Sequence, residues 1–341
     1  MLAGNLLGDA LTLPPFLYLI LSLSAAVFAA KYPRRTLLLL CFLLLGAASV
    51  QIGRMPPTDG GSALAAWAAR QKAAFSDWLG TVLPAGDELG VLRALAIGDK
   101  GGLPRDLRAA YRESGAMHLL ALSGLHVGLI YALLARLLAP MGGHWAARLL
   151  RSSLVLAALW TYAVVTGLSA SISRAVLMLS FYEISGLMSG DRDAMTALFG
   201  SAFLLLLFRP EVPRDIGFQL SYTAVLSILL FHPWLSSRLQ TRSRLLTRMW
   251  ELLSVSLCCQ ATCGVLAWIY FGTFPRYFLV TTLLAIPLTA ITMYTIAGTV
   301  ATKALASLLP ALASISTAAS GILAWLLHLL NTIISLIADL S

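Results

Sequence analysis

The stretch that decides the fold covers residues 115–130 and reads Gly-Ala-Met-His-Leu-Leu-Ala-Leu-Ser-Gly-Leu-His-Val-Gly-Leu-Ile. It holds no lysine, arginine, aspartate or glutamate, yet it contains His118, Ser123 and His126. Polar side chains at bilayer depth are costly, so they mark a functional position by default. On one continuous helix the two histidines differ by about 80° in azimuth. The stretch therefore predicts a membrane helix over 117–138 with both histidines on one broad face.

The whole chain has the composition of a membrane protein. Of its 341 residues, 59% are hydrophobic and only 11% are charged. Soluble domains carry about 45–50% apolar and about 25% charged residues. These values exclude an ordinary cytosolic enzyme, a disordered chain and a small disulfide-stapled domain. They predict an all-α polytopic integral membrane protein.

Apolar runs predict about ten transmembrane helices, some of them short or broken. The predicted spans are 14–30, 36–50, 117–138, 147–167, 170–188, 194–209, 215–235, 250–271, 277–301 and 314–338. An interfacial amphipathic helix is expected over 62–82, where tryptophans and other apolar residues recur at helical spacing. The chain thus divides into an N-terminal transmembrane hairpin at 1–50, an extracytoplasmic helical segment at 51–115, and a transmembrane core at 116–341.

The basic residues orient these spans. Lysine and arginine number 24, against 15 aspartates and glutamates, which gives a net charge of +9. Cations concentrate in the cytoplasmic loops of membrane proteins. Ten alternating spans place the basic segments 31–35, 136–151 and 238–248 and the end near Lys303 on one side. We therefore expect a multi-pass protein whose segment 51–116 lies outside the cytoplasm.

Further polar residues lie within or beside the predicted spans. They are Ser171, Ser173, Arg174, Gln219, Ser221 and Gln260. The serines and the arginine favour a wet lining, although Arg174 can also snorkel to the interface. The amide and hydroxyl groups can equally serve only as hydrogen bonds between helices. Gly124, Gly128 and Gly217 are predicted to allow close helix packing.

These residues occur in an order that resembles the ComEC-type competence proteins, the membrane channels that internalise DNA in natural transformation. The matching runs are 98–104, 118–130, 171–178, 217–225 and 260–287. The resemblance implies a passive channel for single-stranded DNA in the bacterial cytoplasmic (inner) membrane. It implies a DNA pathway lined by His118, Ser123, His126, Ser171, Ser173, Arg174, Gln219, Ser221 and Gln260.

The resemblance also implies partners. They are single-stranded DNA, an extracytoplasmic DNA receptor, a cytoplasmic ATP-driven translocation motor, a separate nuclease and membrane lipids. Family members commonly carry a DNA-binding β-barrel and a metallo-β-lactamase-like domain, and we expect neither in this sequence. It has no phosphate-binding Gly-x-x-x-x-Gly-Lys-Ser/Thr segment and no His-x-His-x-Asp-His cluster. We therefore expect a channel that is not an enzyme and has no cofactor and no metal.

Three other functions stay open at this stage. A transporter of a small anionic or lipid-linked substrate could use the same scaffold, and inverted repeats would favour it. An intramembrane hydrolase could use Ser123 and His126, but it would also need a group that orients the histidine. The polar residues could finally belong to a scaffold subunit and do no more than hold helices together.

Overall fold

A computed structural model describes residues 60–239, 243–272 and 278–339, and every regular element in them is helical. The α-helices are α1 (Gly60–Leu79), α2 (Asp87–Ile97), α3 (Arg105–Glu113), α4 (Gly124–Leu137), α5 (Trp145–Val165), α6 (Ala170–Ser189), α7 (Ala194–Phe208), α8 (Ile216–Ser236), α9 (Arg244–Cys259), α10 (Val265–Phe271), α11 (Phe278–Leu308) and α12 (Ala313–Ala338). A π-helical turn, Gln260–Gly264, joins α9 to α10.

Five of these helical stretches are long and apolar enough to cross a membrane. They are Trp145–Val165, Ile216–Ser236, Arg244–Phe271, Leu283–Leu308 and Pro310–Ala338. The apolar helices α4 and α7 are shorter, with 14 and 15 residues. The predicted spans 14–30 and 36–50 lie outside the described residues. The structure thus confirms an all-helical membrane protein, and the count of ten spans stays a prediction.

The membrane helix predicted over 117–138 is interrupted, and the expectation that His118 and His126 share one helix is wrong. A 3₁₀ turn, Ala116–His118, is followed by an irregular stretch, and α4 begins only at Gly124. The backbone of Ser123 is extended, and its N–H donates towards Nδ1 of His126 at 3.4 Å. A serine in this position caps a helix and so favours a new start there.

Helix α2 lies in the main hydrophobic core rather than at the surface. Val91, Leu92, Leu95 and Ile97 are fully buried and cluster with apolar residues of α11 and α12. At about 25 cal/mol per Å² of apolar area, each such side chain contributes roughly 1.5–3 kcal/mol. The segment before residue 116 is therefore packed against the last two helices. The side of the membrane on which it lies stays a prediction.

Helix α1 corresponds to the helix predicted over 62–82. It begins slightly earlier, at Gly60, and also ends earlier, at Leu79. Ala68 and Leu79 are fully buried, while Trp67 is 43% exposed. Helix α1 contacts α2 and α5. The predicted position of this helix on the membrane surface is not tested by these contacts.

Helices α4 to α8 alternate in direction, and this brings three helix N-termini to one end of the bundle. Gly124, at the start of α4, faces Ala175 near the start of α6. The residue next to Ala175, Arg174, reaches Ser221 near the start of α8. The C-termini of α4, α6 and α8 consequently lie towards the opposite end.

Candidate functional site

The first part of the candidate site is the Ser123–His126 pair at the start of α4. The Oγ atom of Ser123 lies 3.1 Å from Nδ1 of His126. The imidazole is 1% exposed, and its Nε2 atom has no hydrogen-bond partner among the described residues. Because Nδ1 accepts from the backbone N–H of Ser123, the proton of a neutral ring belongs on Nε2. The site therefore presents a buried donor that needs water or an anionic oxygen.

His118 lies on the other side of the interruption and is exposed. Its Nδ1 atom is 2.9 Å from the carbonyl oxygen of Gly115. The two imidazoles remain close enough to interact electrostatically. The structure thus keeps both histidines near one another, but it places them on separate elements.

The loop at 98–100, which follows α2, packs against the residues just before α4. Gly98 ends α2 with φ +68°, and a Cβ atom there would lie 2.7 Å from Cγ of Leu122. Leu122 is the residue just before Ser123. In the same loop, the backbone N–H of Gly101 holds the pKa of the Asp99 carboxyl below its ordinary value. Residues 98–104 and 118–130 are the first two runs that resemble the competence proteins. The first of them therefore packs directly against the second.

Arg174 and Ser221 form the second part of the candidate site. The guanidinium donates from Nη2 to Oγ of Ser221 at 3.1 Å and from Nε at 3.3 Å. It passes over Gly217, where a Cβ atom would lie 3.1 Å from Nη2 of Arg174. Gly217 thus makes room for the arginine side chain. Asp215 caps α8 through the N–H groups of Gly217 and Phe218.

Gln219 joins the start of α8 to α10. Its Nε2 atom donates to the carbonyl oxygen of Pro213 at 2.8 Å, and its Oε1 atom accepts from the hydroxyl of Tyr270 at 2.8 Å. Trp268, Tyr270 and Phe271 are exposed on α10. The exposed aromatic rings of α10 are therefore anchored to the same helix end as Ser221.

The remaining predicted residues occupy more local positions. Ser173 donates to the carbonyl oxygen of Leu168 at 3.3 Å, and Ser171 lies half-buried in the first turn of α6. Gln260 begins the π-helical turn, where its buried Nε2 atom has no partner among the described residues. No described atom lies within 4 Å of a Cβ atom built on Gly128. The predicted packing role of Gly128 therefore has no support within the described part of the chain.

Together these groups make one end of the bundle attractive to anions. The N-termini of α4, α6 and α8 each carry the equivalent of roughly half a positive charge. The fixed guanidinium of Arg174 and the Nε2 donor of His126 lie among them. Unpaired backbone N–H groups at helix N-termini are a general binding site for phosphate. The role of these residues as the lining of a pathway remains a prediction.

One buried polar centre was missed by the sequence reasoning. Glu183 of α6 is 1% exposed and accepts from Tyr131 at 2.6 Å, Ser152 at 2.5 Å and Arg192 at 3.0 Å. Arg192 also contacts its second carboxylate oxygen at 3.0 Å. The signal was visible, because a carboxylate inside an apolar run is a functional hypothesis by default.

In the described residues, the fold is that of a helical membrane protein in which polar side chains of α4, α6 and α8 meet at one end of the bundle. A family model described as "Competence protein" matches residues 95–341, and the chain belongs to this family. No solved structure matches the chain significantly.

Curated relatives agree with this family. ComE operon protein 3 of Bacillus subtilis is 36% identical over 144 residues, which are 42% of this chain and 18% of that protein. Competence protein ComA of Neisseria gonorrhoeae is 31% identical over 150 residues, 42% of this chain and 21% of that protein. Recombination protein 2 of Haemophilus influenzae is 29% identical over 147 residues, 42% of this chain and 19% of that protein. The match thus spans about a fifth of each relative.

Proposed function

We propose that this chain takes part in DNA uptake for natural transformation and forms a passive conduit for single-stranded DNA across the bacterial cytoplasmic membrane. Membership of the competence family supports the general role. An extracytoplasmic receptor would deliver the DNA, a separate nuclease would degrade one strand, and a cytoplasmic ATP-driven motor would pull the other.

The observation that carries the proposal is the fixed position of Arg174. A strand of DNA bears a negative charge at every phosphate, so a conduit needs cations that are not neutralised by helix packing. Ser221 orients the guanidinium through its neutral hydroxyl. The Asp215 carboxylate, which also lies beside Gly217, compensates the charge only in part, because it caps α8 and forms no ion pair with Arg174. The N-termini of α4 and α6 add to the positive potential, whereas the Asp215 carboxylate occupies the N-terminus of α8.

Two further features suit a strand of arbitrary sequence. The buried Nε2 atom of His126 is an unpartnered donor, and it would donate to a phosphate oxygen, which is the same in every nucleotide, once a strand opens the site around it. The exposed rings on α10 can stack on any base, because every base has a π-face. Neither feature requires a particular base, so we expect uptake without sequence preference at this step.

The test is DNA uptake in cells that produce Arg174→Ala, with Arg209→Ala as the control. Arg209 lies between α7 and α8 near the same end, but it is 61% exposed and pairs with Glu211. We expect entry of labelled DNA into the cytosol to fall at least tenfold for Arg174→Ala and to stay normal for Arg209→Ala, at equal membrane abundance. Arg174→Lys should be intermediate, since it keeps the charge but loses the planar fork. Normal uptake by Arg174→Ala would contradict the proposal.

A second candidate function is an intramembrane hydrolase, which the 3.1 Å contact between Ser123 and His126 favours. A serine hydrolase holds its histidine through a third group, and no described residue bonds Nε2 here. Labelling of the purified protein with a fluorophosphonate probe distinguishes the hydrolase from the conduit. Labelling that is lost in Ser123→Ala would favour the hydrolase, and absence of labelling would favour the conduit.

A further inference from the structure

A cavity of about 220 Å³ lies at the opposite end of the bundle from Arg174. It is bounded by the turn before α5, the first two turns of α5, and the C-terminus of α6. Its lining includes Arg148, Arg151 and Arg192 together with four glycines, and it includes no carboxylate residue. The volume far exceeds the roughly 30 Å³ that one water molecule takes up in the liquid.

Two of the three arginines are held in place by the protein itself. Arg148 donates from Nη2 to the carbonyl oxygen of Gly186 at 2.5 Å. Arg192 is held through two atoms by Glu183, and it lies across Gly186, where a Cβ atom would be 2.6 Å from Cγ of Arg192. Such fixed guanidinium groups suit an anionic oxygen, because little side-chain freedom is lost on binding.

Arg151 is different because it has no hydrogen bond or ion pair with any described residue. It is half-buried at the cavity wall. Arg192 is neutralised by Glu183, whereas Arg148 contacts a neutral carbonyl. The positive charges of Arg148 and Arg151 therefore have no counter-charge in the cavity lining, which favours the binding of an anion.

Apolar side chains close in sequence to the lining residues are exposed, and they are called the rim of the cavity here. Trp145 and Leu149 flank Arg148 on α5 and are 68% and 39% exposed, and Met188 beside the lining residue Leu187 is 84% exposed. In a membrane protein, exposed apolar side chains at a helix end face the acyl chains, and tryptophan favours the headgroup level. A ligand that fits both the lining and the rim has an anionic head and hydrocarbon tails.

We propose that this cavity binds the phosphate headgroup of an anionic phospholipid. Basic pockets between membrane helices on the cytoplasmic side are typical sites for such headgroups. The basic segment 136–151 predicts that this end faces the cytoplasm. The lipid would clamp the turn before α5 to the end of α6, independently of whether DNA passes through the bundle.

The test is lipid binding by the purified full-length chain in detergent, measured by native mass spectrometry with phosphatidylglycerol and with phosphatidylcholine. We expect one tightly retained phosphatidylglycerol and a weaker, non-saturating signal for phosphatidylcholine. Arg151→Gln should weaken the tight site about tenfold, since a hydrogen bond to a charged group is lost. Arg136→Gln is the matched control, because it removes an exposed charge at the same end but outside the cavity, and it should bind normally.

Competition identifies the source of the phosphate. Glycerol phosphate and inorganic phosphate should displace the lipid only weakly, because they lack the tails that contact the rim. Displacement by either at the affinity of the lipid would overturn the lipid assignment in favour of a soluble anion. Displacement by a single-stranded oligonucleotide would assign the cavity to DNA instead. An equal loss in Arg151→Gln and Arg136→Gln would show general charge attraction and would overturn the site.

Discussion

Glu183 shows how much a single buried carboxylate organises in this bundle. Its two oxygens accept from α4, α5 and the loop after α6. We expect Glu183→Gln to lower the free energy of unfolding by on the order of 3 kcal/mol, because it leaves Arg192 without its counter-charge. Thermal unfolding of the protein in detergent measures this effect.

The ion pair between Glu183 and Arg192 also allows a control experiment. Glu183→Gln combined with Arg192→Gln removes both charges, so no unpaired ion is left in the bundle. We expect the double variant to be more stable than Glu183→Gln alone. Strictly additive losses would refute the ion pair as the cause.

Two glycines provide a matched pair with opposite expected effects. Gly98 has φ +68°, and a Cβ atom there would meet Leu122. Gly98→Ala should cost about 1–3 kcal/mol of stability. Gly128 has open space around it within a regular helix, so Gly128→Ala should be neutral or stabilise by up to about 1 kcal/mol. Chemical unfolding of both variants, compared with the unchanged protein, distinguishes the two.

At the level of residues, the sequence selected candidate polar groups but not the contacts that they make. Arg174 and Ser221 were both selected, but they are 47 positions apart, and only the packing of α6 against α8 brings them together. Asp215 lies beside the same Gly217 as Arg174, yet its carboxylate caps its own helix. Sequence periodicity describes one helix at a time and does not contain these distances.

Among the elements, long apolar helices were predictable, and broken helices were expected, but the interruption before α4 was not located. The helix predicted over 147–167 is α5, with a shift of two residues at each end. The interruption before α4 was missed, because residues 119–123 are as apolar as a helix interior. Its cause is the extended backbone of Ser123 and the packing of Leu122 on Gly98, which is a tertiary effect.

The contact between α3 and α12 depends on one buried hydrogen bond. Tyr111 donates to Oδ1 of Asn331 at 3.0 Å, and both side chains are buried. Tyr111→Phe should cost about 1–3 kcal/mol, because the amide oxygen of Asn331 is left without a partner. Tyr111→Phe combined with Asn331→Leu should recover part of this loss. Unfolding in detergent measures both variants, and equal stability of Tyr111→Phe and the unchanged protein would count against the bond.

At the scale of the whole molecule, the bundle has two different cationic ends. One holds Arg174 among three helix N-termini, and the other holds the cavity with Arg148 and Arg151. The second end carries the basic segment 136–151, from which a cytoplasmic orientation is predicted. Under the two proposals, the ends therefore bind different anions on different sides of the membrane. The Arg174 end binds the entering DNA strand, and the cavity end binds a lipid headgroup.

This arrangement predicts the orientation of the bundle in the membrane. The orientation can be measured by labelling single cysteines introduced at its two ends. Glu211, in the turn before α8, and Ser237, just after it, are exposed at opposite ends of one candidate span. In intact cells that lack an outer permeability barrier, we expect a membrane-impermeant maleimide to label Glu211→Cys directly. It should label Ser237→Cys only after the membrane is permeabilised. The native cysteines, replaced by serine in the background, provide the unlabelled control.

The reverse pattern would place Arg174 on the cytoplasmic side, where it could not receive an incoming strand first. It would also move the arginine cavity to the outer leaflet and contradict the orientation predicted from the basic loops. Labelling of both positions in intact cells would mean that Ile216–Ser236 does not cross the membrane. The conduit proposal requires the first pattern, because phosphate has to meet the helix N-termini before it meets the basic cytoplasmic surface.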